Sequence, residues 1–517
     1  MRPTLLLLAI LLAHAASVFA AKRPPNLVFI LTDNQGAWTL GCYGNPDIRT
    51  PHIDALAAQG VRFTRALSSN PVCSPTRATF LTGLMPSQHG VHSFLDPKYM
   101  MGPEAYNTLR EFTSLGEVLR DAGYVCGLSG KWHLGANLTP SEGFSEWVTK
   151  PDGHTKEFYD QEVIEDGKVR KEAGYTTDLW TRRGIDFIER NRDRPFFLFL
   201  AYNGPYVLGG LMMNPPRNRH AEYYRGIQFK SFPAEPMHPW QHANKSFHNT
   251  RNAMERTAAE VSGVDDGVGE VMATLRRLGL DDNTLVAYSS DQGCMGGQNG
   301  MWGMGDHFRP IGAHELMMQI PLIFRQPGRI PAGCTSDLLV SNYDFLPTVL
   351  SHLGLGDRMP VSPRSPGRDF SAVLAGGMPA AWDGAVFYEM ETVRAVRTEE
   401  WKYVARFPNG PFELYDMRKD PRERFNLYGQ PGLEETRAGL ARRLDAFSRG
   451  PAVRHLEKWP LQGEAAYGVI ATAGFSLAWE IRSDVWRIGR VIRREGRPAE
   501  DGQPYHGRSY RGIRGSR

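Results

Sequence analysis

The sequence predicts an α/β protein: a large, mostly parallel sheet with helices on both faces, followed by a smaller unit with a short antiparallel sheet. Three observations carry that expectation. Short apolar runs that end in polar residues alternate with helical patterns, as in strands buried on both faces and linked by helical crossovers. The length, 517 residues, is too great for one small binding module and suits a large α/β unit with a smaller partner. From about residue 385 the pattern changes to short strand-like pieces separated by turn residues. At 41% hydrophobic and 22% charged, with 54 Gly and 36 Pro spread along the chain, the composition excludes a disordered or fibrous protein.

In chain order, residues 1–20 read as a secretion signal: Arg2 precedes an apolar run over 5–13, and Val18-Phe19-Ala20 suits signal peptidase. The run is too short to span a bilayer, and no later stretch is long enough. The expected location is therefore periplasmic or extracellular, lysosomal in a eukaryotic host, with no stable membrane span. The main unit is expected over 22–368. Its strands are read at 26–31 (NLVFIL), 196–202 (FFLFLAY), 285–290 (LVAYSS) and 321–325, and its helices at 53–59, 115–121, 258–278 and 343–353. Gly60, Gly123 and Gly279 stop the first three helices. The helix over 258–278 carries Val261, Val264, Val268, Val271, Met272 and Leu275 at helical spacing, a core-facing stripe. The segment 358–368, rich in Pro, Ser and Arg, reads as a connector. The second unit is expected over 380–460, with strands at 385–389, 394–397, 402–406 and 413–416 and a helix at 433–447.

The formal charge of +4 belongs to the end of the chain. The last 37 residues hold ten Arg against four acids, so the remainder sums to about −2, and no nucleic-acid surface follows. The tail over 461–517 lacks periodicity and is expected to be irregular. Five cysteines make no disulfide scaffold, and their odd number leaves one thiol without an internal partner.

Chemistry concentrates at four places. The first strand delivers Thr32-Asp33-Asn34, and the strand over 285–290 delivers Asp291-Gln292-Gly293, at the carboxyl ends where open α/β sheets bind ligands. Cys73-Ser74-Pro75-Thr76-Arg77 enters a helix-like stretch. A cysteine there meets free backbone N–H groups and the positive end of the helix dipole, and Arg77 adds a fixed charge one turn on, so an anion is favoured. Gly130-Lys131-Trp132-His133-Leu134-Gly135 puts Lys131 and His133 on one face of a strand or bend. The plainer readings are a buried structural cysteine, carboxylates serving as helix caps or turn residues, a solvated lysine and a core histidine.

Together these segments resemble the type I sulfatases over roughly residues 24–430. In that family the cysteine of Cys-x-Pro-x-Arg is oxidised to formylglycine by a formylglycine-generating enzyme. The hydrated aldehyde attacks sulfur, the alcohol leaves, and the remaining hydroxyl expels sulfate. The resemblance implies an alkaline-phosphatase-like fold, formylglycine at Cys73, and Ca²⁺ held by Asp33, Asn34, Asp291 and Gln292 around residue 73. Asn34 stands where the family has a second Asp, and Gln292 where it has Asn or His; both amides are admissible oxygen ligands but reduce the negative charge. By the same resemblance Arg77 and Lys131 stabilise the nucleophile and the developing charge, His133 is the base that helps release sulfate, and Asp291 can accept a proton from the attacking hydroxyl.

Two positions depart from the pattern. Pro205-Tyr206 replaces a usual Pro-His, so Tyr206 would meet the sulfate and the leaving-group oxygen. Met304 falls on one alignment of a catalytic lysine, and His307 or Arg309 could supply the missing positive group; His307 is preferred because imidazole both binds anions and transfers protons. The segment 412–427, with Glu413-Leu414-Tyr415-Asp416, Asp420-Pro421 and Asn426-Leu427, is similar to the structural close of sulfatase C-terminal subdomains. The expected activity is hydrolysis of a sulfate ester, from a small molecule or a glycan, to an alcohol and sulfate. The alternatives are a phosphomonoester, phosphodiester or phosphonate hydrolase of the same fold, or a catalytically weak protein that binds sulfated glycans. Asn137-Leu138-Thr139 and Asn244-Lys245-Ser246 fit the N-glycosylation pattern, and the excursion over 208–248 is read as a loop placed for substrate contacts.

Overall fold

The strand Asn26–Asp33 is buried along its whole length, and its apolar side chains divide by parity between two cores. Val28 and Ile30 enter one; Leu27, Phe29 and Leu31 enter the other. A strand covered on both faces needs apolar residues at every position, so its sequence is a continuous run and not an alternating one.

In this computed structural model, which describes residues 23–407 and 409–448, the strand lies near the middle of a ten-stranded sheet. Across the sheet the order is Cys334–Ser336, Val61–Phe63, Leu322–Arg325, Thr284–Ser290, Asn26–Asp33, Phe196–Pro205, Val125–Gly130, Glu146–Thr149, Glu162–Glu165 and Lys168–Lys171. The strands from Thr284–Ser290 to Glu146–Thr149 run parallel. Leu322–Arg325 is antiparallel to both its neighbours, and the far edge is an antiparallel hairpin turning at Asp166 and Gly167, both at positive φ. The expected parallel sheet is thus the centre of a mixed one. The predicted secretion signal (1–20), the Arg-rich tail (461–517) and the end of the expected second unit lie outside the described residues.

Helices Pro51–Ala58, Thr176–Asn191 and Arg251–Arg277 supply side chains to the first core, and Cys73–Thr82, Leu115–Asp121 and Phe345–His352 to the second. The long helix starts about two turns before the expected residue 258. Thr250 caps it by accepting from the Ala253 N–H at 3.4 Å, so a polar first stretch is helical without an apolar stripe.

Strands Ala385–Met390, Val393–Thr398, Trp401–Arg406 and Glu413–Asp416 form an antiparallel meander. Phe387, Val396, Tyr403 and Leu414 pack with Leu440 and Leu444 of helix Glu434–Ser448. Val386, Tyr388, Ala395 and Val404 belong to the same core as Val28. The small sheet is therefore continuous with the large one through shared apolar packing, and the parallel strands direct Asp33, Lys131, Tyr206 and Asp291 from their carboxyl ends to one side.

Candidate active site

Helix Cys73–Thr82 begins on Cys73 itself, after Val72 in extended conformation at φ −135°. The thiol therefore sits in the first turn, at the positive end of the helix. Its Sγ lies 3.4 Å from Asp33 Oδ1, 3.4 Å from Gln292 Nε2 and 3.8 Å from Asn34 Nδ2. Burial, and then the Asp33 carboxylate, push the thiol up to about 12, so an unmodified Cys73 is a neutral and poor nucleophile.

Two buried ion pairs flank the thiol. Lys131 Nζ meets Asp33 Oδ2 at 2.5 Å, and Arg77 places Nε and Nη2 on Asp291 Oδ2 at 3.0 and 2.8 Å, with all four side chains fully buried. Asp291 Oδ1 accepts the backbone N–H groups of Asn34 and Gln292 at 3.0 and 2.9 Å. Arg77 also donates to the Lys131 carbonyl at 2.7 Å, linking the two pairs. Burial alone would lower the Lys131 pKa, but Asp33 together with Cys73 and Asp291 outweighs it and holds the ammonium above its ordinary value. Asp291 is pushed upward by burial and by the neighbouring Asp33 charge.

Backbone conformation sets these groups in place. Gly130 has φ +119°, and a Cβ there would fall 1.9 Å from the Ala201 carbonyl oxygen, so the strand can turn toward Lys131 only at glycine. Asn34, His133 and Tyr206 all adopt left-handed φ, at 57°, 59° and 43°, conformations that persist only where the surroundings hold them. His133 lies in the loop that follows strand Val125–Gly130 and not on a strand. Its Nε2 faces the Leu95 carbonyl at 3.4 Å and so carries the proton, leaving Nδ1 buried without a hydrogen-bond partner. Burial and then Lys131 hold the ring neutral, well below the usual histidine range. The ring rests where a Cβ on Gly153 would come within 1.8 Å of it.

Of the residues singled out in the sequence, Asp33, Asn34, Cys73, Arg77, Lys131, Asp291 and Gln292 meet in one cluster. Tyr206 borders it: its N–H donates to the Asp33 carbonyl at 3.1 Å, and Lys131 Nζ lies 5.4 Å from its ring centroid. His307 and Arg309 are bonded elsewhere. His307 Nδ1 is 3.1 Å from Asn244 Nδ2 and accepts the Met304 N–H at 3.3 Å, while Arg309 Nη1 donates to the Asp306 and Phe308 carbonyls at 2.7 and 2.8 Å. Met304 enters the cluster instead, with Sδ 3.2 Å from Gln292 Nε2 and 3.4 Å from Asn34 Nδ2. A thioether is a weak acceptor and brings no charge to the cluster.

The donor set suits a hard divalent cation. Ligand atoms of Asp33, Cys73 and Asp291 all lie within 4.8 Å of one another, and Asn34 Oδ1 is buried with no hydrogen-bond donor. An orphaned amide oxygen on the residue after Asp33 is a ready ligand for Ca²⁺. The two carboxylates are neutralised by Lys131 and Arg77, so a divalent ion would leave the cluster with excess positive charge and an affinity for anions.

Sequence reasoning missed several neighbours. His154 Nδ1 is 3.2 Å from the Tyr206 hydroxyl, and the buried Lys150, lowered to about 8 by burial, bonds to the His154 carbonyl at 2.5 Å and pairs with Asp152 at 3.3 Å. Asn70, just before the cysteine motif, donates to the Glu389 carbonyl at 2.6 Å, and Ser87 N–H and Oγ bond to the Glu389 carboxylate at 2.9 and 3.0 Å. The small sheet thus braces the loop that presents Cys73. Only the position of Asn70 beside the motif was a signal in the sequence; Glu389, Lys150 and His154 have no spacing that marks them.

Residues 25–355 match the family model described as Sulfatase. The chain belongs to the sulfatase family. Its C-terminal part, residues 307–450, matches the family described as N-sulphoglucosamine sulphohydrolase, C-terminal. This sulfatase, a sulfuric ester hydrolase by family, is 30% identical to the N-acetylgalactosamine-6-sulfatase of Canis lupus familiaris over 77% of this chain and 74% of that one. It is 27% identical to the N-acetylglucosamine-6-O-sulfatase of Bacteroides thetaiotaomicron, covering 79% of this chain and 83% of the relative. A solved structure of a protein in complex with its substrate, D-glucosamine-2-N,6-O-disulfate, shares the fold at a TM-score of 0.65 and 24% identity, over 84% of the sulfatase described here and 100% of that chain.

Proposed function

We propose that this sulfatase hydrolyses sulfate esters of carbohydrates, with amino-sugar 6-sulfates as the first class to test, using formylglycine formed from Cys73 and a divalent cation, Ca²⁺, held by Asp33, Asn34, Asp291 and Gln292. The reading is carried by one observation: a cysteine in the first turn of a helix between two buried carboxylate–cation pairs. The relatives named for 6-sulfatase activity support the substrate class. As its hydrate, formylglycine supplies an oxygen nucleophile in place of a neutral thiol, and the cation adds positive charge beside it.

This chain's own residues do the rest. Lys131 and Arg77, held on Asp33 and Asp291, bring two cationic side chains beside the start of the helix, where the anionic sulfate group would lie. His133 offers an unprotonated Nδ1 in a buried setting and is the base of the site. Tyr206 and Met304 are the least covered of the group, at 6% and 4% exposure, and border the side from which an ester would enter. Among the described residues no helix is long and apolar enough to cross a membrane, and residues 1–20 are read from the sequence alone as a signal for export.

Mass spectrometry of the Cys73 peptide from natively produced protein, followed by a panel of amino-sugar sulfates, aryl sulfates and phosphate monoesters with and without Ca²⁺, tests the proposal. An aldehyde at residue 73 with Ca²⁺-dependent sulfate release supports it. Faster turnover of phosphate esters moves the chain to the phosphoester hydrolases. No turnover after confirmed conversion of Cys73 favours a protein that binds sulfated glycans, the reading that Met304 beside Gln292 specifically motivates.

A further inference from the structure

The Tyr206 hydroxyl stands at the border of the cluster, 3.2 Å from His154 Nδ1, and its oxygen also accepts a hydrogen bond from the Thr155 backbone. Both ends of that contact are braced. Tyr206 is held at left-handed φ with its N–H on the Asp33 carbonyl. His154 is set between Phe94 and His133, with ring centroids at 5.0 and 5.5 Å in edge-on contact. Its carbonyl accepts Lys150 Nζ, and the next residue, Thr155, bonds through Oγ1 to the carbonyl and side chain of Asn203, three residues before Tyr206 on the same segment. So many restraints on one loop histidine exceed what a surface excursion requires.

We propose that His154 is a positioning residue for the reaction, its Nδ1–H donating to the phenolic oxygen so that the Tyr206 O–H is free to donate to the ester oxygen of the sulfate. This rests on the sulfatase reading of the site. The alternative tautomer would use the phenolic proton on His154 and present the ligand only with oxygen lone pairs, which an anion repels. Burial and the nearby Lys131 hold His154 neutral, so one ring nitrogen is a donor and the other is not. Neither ring gives up its proton. The pair acts as a hydrogen-bond chain from imidazole to phenol to ligand, restoring an imidazole's influence where the sequence has tyrosine in place of the family's histidine.

Two readouts test it, one independent of turnover. In the ¹⁵N side-chain NMR spectrum of histidine-labelled protein, assigned by difference with His154→Gln, the His154 ring is expected to be neutral and protonated on Nδ1. A ring protonated on Nε2 overturns the proposal whether or not the protein hydrolyses anything. On the best sulfate ester, His154→Phe is expected to lower kcat by about tenfold with KM little changed, the loss of one aligned hydrogen bond. His154→Gln, which keeps an N–H donor, recovers most of that loss, and in a Tyr206→Phe background His154→Phe costs nothing further. Equal losses in the two backgrounds would show that His154 acts on the fold and not through Tyr206. Absence of sulfate release by converted wild-type protein would refute the proposed function, while the tautomer result would still decide the hydrogen-bond direction.

Discussion

Replacing Lys131 by methionine removes the ammonium from a 2.5 Å contact with Asp33 and leaves a carboxylate that is fully buried. Its remaining recorded side-chain partner is the Cys73 thiol, a weak donor at 3.4 Å. Breaking one side of a buried ion pair costs about 3–5 kcal/mol, because the surviving charge is desolvated without compensation. In EDTA, Lys131→Met should therefore melt on the order of 3–6 °C below wild type. Ca²⁺ should recover more of that loss in the variant than it adds to wild type, since Asp33 then has no ammonium competing with the ion. Scanning calorimetry or dye-monitored melting with and without Ca²⁺ reads both effects. A variant that melts with wild type in EDTA refutes the energetic reading of the pair; equal Ca²⁺ increments refute the placement of the ion on Asp33.

Further outcomes follow from the same geometry. Cys73 is 2% exposed, with Pro75 and Arg77 also buried, so a formylglycine-generating enzyme should convert the unfolded chain and leave folded Cys73 protein unchanged, as peptide mass spectrometry would show. His89 is fully buried, accepts the Val91 N–H at 3.1 Å and is lowered to about 3 by burial, whereas the unfolded chain takes up the proton near pH 6.5. Its contribution is therefore complete above about pH 6.5 and declines as the pH falls toward 3, by about 2 kcal/mol at pH 5. His89→Gln should flatten the fall in unfolding midpoint between pH 6.5 and 5; an unchanged slope rules this out. Met304→Lys puts an ammonium beside the Asn34 and Gln292 amides and is expected to raise kcat on sulfate esters by about tenfold while weakening Ca²⁺ binding; a fall in both would show that the thioether is not standing in for a cation.

The helix over 115–121 and the strand over 413–416 were legible to the residue, because the glycine stop at Gly123 and a compact run between turns mark their ends locally. The hairpin through Asp166-Gly167 was missed although its turn carries a sequence signal, since flanking strands as polar as Lys168–Lys171 give no apolar alternation to read. For the site, Asp33, Lys131 and Asp291 lie just past or at strand ends and Cys73 and Arg77 at a helix start, and it was the resemblance to the sulfatases that joined them in one cluster. The cationic replacement for Met304 could not be chosen in that way. His307 and Arg309 lie within five residues of Met304, yet Asn244 and local backbone carbonyls take their hydrogen bonds.

What the sequence determined by itself was the alternation of apolar runs and helices, the cysteine motif and the carboxylates at strand ends. These are local facts, set by which residues tolerate a buried strand, a helix start or a sharp turn. Only the tertiary structure decided that Met304 meets the Asn34 and Gln292 amides beside Cys73, that Glu389 of the small sheet braces both the loop before the cysteine and Ser87, and that His154 meets Tyr206. Those contacts join residues as far apart as Ser87 and Glu389, and they depend on how the crossovers, the edge hairpin and the second sheet pack, which no stretch of local sequence encodes.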